Sequence, residues 1–170
     1  MFLALNTIWV WKLVPNEKLE VFFNSISCLL NEADILVLGC YEPDERCVRA
    51  LREMHKPQKG KLPYLDTFEV NRGEYPDGQA FHVPASKNNL KNLAEIVVDC
   101  DGKHCFDHIL SLRPSIPLVP LVYYHNVDDE PIYLTGLYSK STVRDLCDAY
   151  SASYDLVLND QLNSLSSNRA

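Results

Sequence analysis

Residues 34–39, Asp-Ile-Leu-Val-Leu-Gly, form a short continuous apolar run, which is typical of a strand buried on both faces. Upstream of it, Asn16 is a candidate cap for an amphipathic helix whose apolar residues recur at spacings of three and four: Leu19, Phe22, Phe23, Ile26, Leu29 and Leu30. A strand-like segment at residues 2–13 precedes that helix, and Pro43 and Asp44 begin another helix. This order of strand, helix, strand and helix predicts a βαβ unit.

The second half of the chain extends the α/β pattern. Residues 116–125 and 131–138 predict two strands joined by a polar loop, and residues 155–159 predict a last short strand. Between them, a cap at Ser139 or Ser141 begins a helix with one apolar face: Val143, Leu146, Cys147 and Tyr150. We therefore expect a single α/β domain over residues 1–160, with a mixed β-sheet covered by helices and starting with a βαβ unit. Residues 161–170 are expected to be a polar, frayed tail.

Two segments leave alternatives open. Residues 57–84 are rich in proline and glycine; they predict a hairpin that pairs residues 67–70 with 80–83, or else a mobile lid. From Ser86, a helix cap, the apolar spacing suits one continuous helix to Leu112. Residues 99–102 nevertheless have turn and cap chemistry, so we favour a break there, with Asp101 capping a second helix.

Composition excludes several classes of protein. The chain of 170 residues has a net charge of −7, which disfavours broad binding to nucleic acid or anionic lipid. Its apolar runs are shorter than the ~18–20 residues that a membrane span needs, and we interpret the apolar N-terminus as a strand rather than a signal peptide. Six cysteines in a chain of this length are too sparse for a disulfide framework. We expect a soluble cytoplasmic protein with reduced thiols.

The densest group of ionisable side chains is Asp-Cys-Asp-Gly-Lys-His-Cys-Phe-Asp-His at residues 99–108. If this segment is a strand end, Asp99, Asp101 and Lys103 alternate onto one face. Two carboxylates there can hold Mg²⁺, and the lysine can stabilise charge on an attacked phosphate.

A continuous helix through the same segment predicts a different metal. Cys100, His104 and His108 are spaced by four residues and would share one helix face. Thiolate and imidazole are good zinc ligands, so zinc is the weaker metal hypothesis. The alternative is that the two histidines lie beside the core.

Two short motifs resemble known families. The apolar residues before Asp99-Cys-Asp-Gly resemble the first motif of haloacid-dehalogenase-type phosphatases, which implies Asp99 as nucleophile and Asp101 as acid/base; Lys103 replaces the usual hydroxyl residue. Pro-Asp77 together with Asp101-Gly-Lys103 resembles the Pro-Asp, Asp/Glu-x-Lys nuclease pattern. That resemblance implies Asp77 and Asp101 as Mg²⁺ ligands, Lys103 as an assisting residue, and nucleic acid as a partner under this alternative alone.

A basic stretch stands out within the acidic chain. Residues 44–61 contain six cations and three acids, and Arg49, Arg52 and Lys56 are predicted to share one helix face. These three residues form a candidate anion-binding site, which under the nuclease alternative would position a phosphate backbone. The alternative is that they are the ordinary charges of a solvated helix face.

The leading functional hypothesis comes from the predicted hairpin at residues 116–138. It combines Tyr124 and other tyrosines with the acids Asp128, Asp129 and Glu130. Acids beside exposed aromatic rings suit a basic protein partner, whereas a core-facing aromatic pair with a solvated loop is the alternative. Since no catalytic pattern is complete, we favour a binding or regulatory protein over a Mg²⁺-dependent phosphate-ester or phosphodiester hydrolase.

Overall fold

The computed structural model describes residues 9–16, 18–40, 44–56, 79–99, 106, 108–115, 120–125 and 131–158. The strands are β1 (Trp9–Val14), β2 (Ile35–Cys40), β3 (Gln79–Pro84), β4 (His108–Leu112), β5 (Pro120–His125), β6 (Ile132–Thr135) and β7 (Ser153–Leu158). The helices are α1 (Leu19–Ser25), which continues into a 3₁₀ turn at Ile26–Cys28, α2 (Glu45–Met54), α3 (Lys87–Asp99) and α4 (Lys140–Tyr150).

The seven strands form one sheet in the order β3-β2-β4-β5-β6-β1-β7, and every ladder is antiparallel. Helices on an antiparallel sheet agree with the α/β class in its broad sense, but the mixed sheet is not found in the described residues. The βαβ start is not confirmed either, because three strands separate β1 from β2. A continuous apolar run requires burial on both faces, and a central antiparallel strand meets that requirement as well as a parallel one.

The main core lies between the helices and one face of the sheet. All four helices contribute buried side chains to a single cluster with Leu36, Leu38, Ile109 and other strand residues. Phe22 of α1 lies at its centre and makes ring contacts with the neighbouring aromatic residues Phe23, Tyr124 and Tyr150. The described helices therefore cover one face of the sheet.

The opposite face, hereafter the second face, is apolar at β2 and β4. Side chains alternate along a strand, so Val37 and Leu110 point away from the helix-side cluster, and they are 0% and 2% exposed. The centre of the sheet is thus buried on both sides, as the apolar run at residues 34–39 predicts.

Local signals explain several element boundaries. Asp44 accepts a hydrogen bond from the Arg46 N–H at the start of α2, and Ser139 accepts one from the Thr142 N–H at the start of α4. Ser86 accepts from the Asn89 N–H, as a helix cap should. The predicted cap at Asn16 is wrong, because α1 begins at Leu19 and its first turn has no side-chain cap.

Three predicted elements need correction. The favoured second helix through Leu112 is wrong, because His108–Leu112 is strand β4. Residues 80–83 do form part of a strand, β3, but this strand pairs with β2. The predicted hairpin partner at residues 67–70 lies outside the described residues, and so does the predicted tail at residues 161–170. The last strand begins at Ser153, two residues earlier than predicted. In addition, β5 has an irregular register where Pro120 enters the ladder with β4.

Candidate functional site

One row of side chains crosses the second face along all seven strands. Successive Cα partners connect, in spatial order, His82, Val37, Leu110, Tyr123, Tyr133, Lys12 and Asp155. We call this set the cross-sheet row. It passes from buried aliphatic residues on β2 and β4 through two partly exposed tyrosines to Lys12 and the exposed Asp155.

The two tyrosines form the centre of the row. Tyr123 on β5 and Tyr133 on β6 are direct cross-strand partners, and both are partly exposed. Alternation explains their orientation: Ile132 and Leu134 enter the core, so Tyr133 between them faces the other way. The pair presents rigid, amphipathic side chains at a position that a partner can reach.

The charged side chains of the row lie at its β1 and β7 end. Lys12 is the Cα partner of both Tyr133 and Asp155, so the aromatic pair has a cation beside it and a carboxylate one strand further. Apolar, aromatic and charged groups thus follow one another across the sheet. The accessible part of the row therefore combines aromatic and charged side chains, a composition that protein-binding surfaces share.

Tyr124, the tyrosine selected from the sequence, is not on this surface. It is 1% exposed, and its ring centroid lies 5.8 Å from that of Phe22 in the core. Tyr124 is therefore part of the core-facing aromatic group that is the alternative to a partner contact, because neighbouring strand residues face opposite sides. Asp128, Asp129 and Glu130 lie outside the described residues.

Tyr138 also has a structural role. Its hydroxyl donates to the Leu29 carbonyl at 3.1 Å, and its own carbonyl accepts from the Trp11 indole N–H at 3.0 Å. Burial raises the pKa of Tyr138 to about 12. This tyrosine therefore links the turn between β6 and α4 to β1 and to the segment that follows α1.

The predicted anion-binding residues do not share one helix face. Arg49 and Arg52 are exposed on α2, but the helix ends at Met54 and Lys56 lies in the extended segment beyond it. The Lys56 N–H donates to the His82 carbonyl, which fixes the Lys56 backbone against strand β3. A helical projection fails for Lys56 because the helix stops before reaching it.

The structure also changes the hydrolase and zinc hypotheses. Residues 96–99 belong to α3, and Asp99 is its exposed last residue, so the extended interpretation of this stretch is wrong. The β-branched run at 96–98 is helical because Leu90, Leu93 and neighbouring residues of α3 pack against the core. Asp77, Asp101 and Lys103 lie outside the described residues.

The continuous helix required for zinc is also wrong. His108 begins strand β4, so it cannot follow Cys100 and His104 on one helix face; those two residues lie outside the described part of the chain. Within the described residues, no group of three or more histidine, cysteine or acidic side chains is placed to hold a metal ion.

Sequence reasoning missed a buried ion pair at the start of β2. The Arg113 guanidinium donates from Nε and Nη2 to the two Asp34 carboxylate oxygens, both at 2.8 Å, and the Asn31 N–H donates to Oδ2 at 2.8 Å. The hydrogen bonds to Asp34 raise the pKa of Arg113. This two-pronged ion pair joins residues that are 79 positions apart in the chain, and no local pattern in the sequence indicates it.

Comparisons with known proteins do not extend this description. The chain matches no protein-family model, no curated protein and no solved structure. In the described part of the chain, no helix has both the length and the apolar character that a bilayer span requires.

Proposed function

We propose that this protein is an intracellular binding or regulatory protein that acts on a protein partner through the second face of its sheet. The observation that carries the proposal is the partly exposed Tyr123–Tyr133 pair at the centre of the cross-sheet row. Tyrosine gives a large contact area at a low cost in side-chain entropy, and it is enriched at protein interfaces. The tyrosine pair lies between the buried residues of β2 and β4 and the charged residues of β1 and β7, so we expect the partner contact to centre on the pair.

The charge of the chain favours a basic partner. The net charge is −7, and Asp128, Asp129 and Glu130 belong to the connection between β5 and β6, the two strands that carry the tyrosine pair. Complementary charge accelerates encounter and selects among partners, and this effect weakens as salt is added. We therefore propose that the acidic connection and the tyrosine pair act on the same partner.

The described cysteines support a reducing compartment. Cys28, Cys47 and Cys147 are thiols in the structure, and burial raises the pKa of Cys147 to about 11. A raised pKa keeps a thiol protonated and unreactive, so packing rather than catalysis explains Cys147.

Photocrosslinking from defined positions tests the proposal. A benzophenone amino acid replaces Tyr133 in one variant and Glu95, an exposed residue of α3, in the control. The proposal predicts a protein that crosslinks from position 133 and not from position 95. The purified partner should then bind Tyr133→Ala at least about tenfold more weakly than the wild type, because a central tyrosine is a typical hot spot.

Two results would overturn this function. One is a partner that binds Tyr133→Ala and Tyr123→Ala as tightly as the wild type while both variants stay folded. The other is Mg²⁺-dependent cleavage of a phosphodiester that Asp101→Asn abolishes without unfolding the protein, which would establish the hydrolase alternative.

A further inference from the structure

The two edges of the sheet differ in how their backbone groups are used. At the β3 edge, the outward N–H of His82 donates to His55 Nδ1 at 2.8 Å, and the His82 carbonyl accepts from the Lys56 N–H at 2.8 Å. Two residues further, Pro84 has no N–H, and its carbonyl accepts from the Asn89 side chain at 2.9 Å. The chain itself therefore blocks this edge against another strand.

In the part of the chain that the structure describes, the β7 edge has no comparable protection. Among the described residues, β7 pairs with β1 alone, and no hydrogen bond joins its outer side to another segment. Every second residue of an edge strand directs its N–H and C=O outward, so three of the six residues of Ser153–Leu158 offer these groups. The strand contains neither proline nor lysine, the residues that commonly block an edge.

The side chains of β7 favour a register with a second copy that is centred on Leu156 over one that is centred on Asp155. Leu156 is 46% exposed on the helix side of the strand, next to its Cα partner Trp11. If two β7 strands pair antiparallel with Leu156 opposite Leu156, each Asp155 faces a Val157 and keeps Lys12 as its neighbour within its own sheet. A register centred on Asp155 would place two carboxylates directly opposite each other, which is destabilising.

We propose that β7 is a self-association edge, where two copies of this chain join their seven-stranded sheets through antiparallel β7 strands with Leu156 opposite Leu156. A six-residue ladder is short compared with stable interfaces, so the dimer is weak and depends on concentration. Two copies with a net charge of −7 each repel at long range, and added salt strengthens the pairing. This inference is independent of the proposed function, since Leu156 and the Tyr123–Tyr133 pair lie on opposite faces of the sheet.

Sedimentation of the full chain tests the inference. Over a range from about 10 µM to about 1 mM, we expect a monomer–dimer equilibrium that strengthens at higher salt. Leu156→Lys should weaken dimerisation at least about tenfold, since it places like charges opposite each other at the edge. Val98→Lys is the control, because Val98 is an exposed apolar residue of α3, at 62% against 46% for Leu156, and this variant should dimerise like the wild type.

A cysteine at the same position tests the register without depending on the lysine variant. Directly opposite residues in antiparallel strands have Cβ atoms within about 5.5 Å, close enough for a disulfide after a small adjustment. Leu156→Cys should therefore form a covalent dimer in glutathione disulfide. Val98→Cys and the wild type measure the background from native thiols. A monomeric wild type throughout the range, equal dimerisation of Leu156→Lys, or equal crosslinking of the two cysteine variants would overturn the inference.

Discussion

Replacement of Arg113 by alanine tests how the structure holds the start of β2. The change leaves the Asp34 carboxylate, which is 1% exposed, with the Asn31 N–H as its remaining described donor. Removing one member of a buried pair typically costs about 3–5 kcal/mol. The Arg113 side chain is 27% exposed, so water reaches part of the vacated space, and we expect a loss of about 2–3 kcal/mol in the free energy of unfolding.

Urea denaturation and thermal unfolding measure this loss. For a chain of this size, each kcal/mol lowers the melting temperature by about 2–4 °C, so Arg113→Ala should melt about 4–12 °C below the wild type. Arg113→Lys keeps the charge but loses the two-pronged geometry, and its stability should fall between the two. The control is Arg144→Ala, because the Arg144–Asp145 pair is exposed and should contribute less than about 1 kcal/mol. Equal destabilisation by Arg113→Ala and Arg144→Ala would show that the Asp34–Arg113 pair stabilises the fold no more than an exposed pair does.

Three further predictions concern single side chains. The buried Ser111 hydroxyl has no hydrogen-bond partner among the described residues. Ser111→Ala should therefore leave stability unchanged or raise it by about 1 kcal/mol in urea denaturation, and a loss above that size would contradict the packing described. Tyr138 has its pKa raised from 10.0 to about 12, so the folded state holds its proton more tightly; this stabilisation is present below pH 10 and is lost as the pH rises towards 12. Tyr138→Phe should show a smaller loss over that interval, and identical pH profiles would contradict the assignment. His55→Ala should increase hydrogen exchange at the His82 amide, whereas unchanged exchange would show that this hydrogen bond does not protect the β3 edge.

The sequence predicts individual elements better than their arrangement. The periodic apolar face of α4, the cap at Ser139 and the helix start at Asp44 are local signals, and the structure confirms them. The apolar run at residues 34–39 likewise indicates a central strand. Its neighbours, β3 and β4, come from far along the chain, and the sequence of β2 carries no information about them.

The candidate site shows the same limit. Alternation along β6 is sufficient to place Tyr133 on the face opposite to that of Ile132 and Leu134. The choice between Tyr123 and Tyr124 requires the register of β5, which the irregularity near Pro120 shifts. The Asp34–Arg113 pair has no local signal at all. Sequence reasoning therefore identifies the tyrosine-bearing strands, and the sheet determines which ring reaches the surface.

Hydroxyl-radical footprinting of the complex determines whether the Tyr123–Tyr133 pair contacts the partner. The protein is labelled with and without the partner captured from position 133, and modification is measured residue by residue. We expect the labelling of Tyr123 and Tyr133 to fall when the partner binds, while the labelling of Leu137, which is exposed in the turn before α4, stays the same. Protection of Leu137 with unchanged labelling of both tyrosines would show that the partner binds elsewhere.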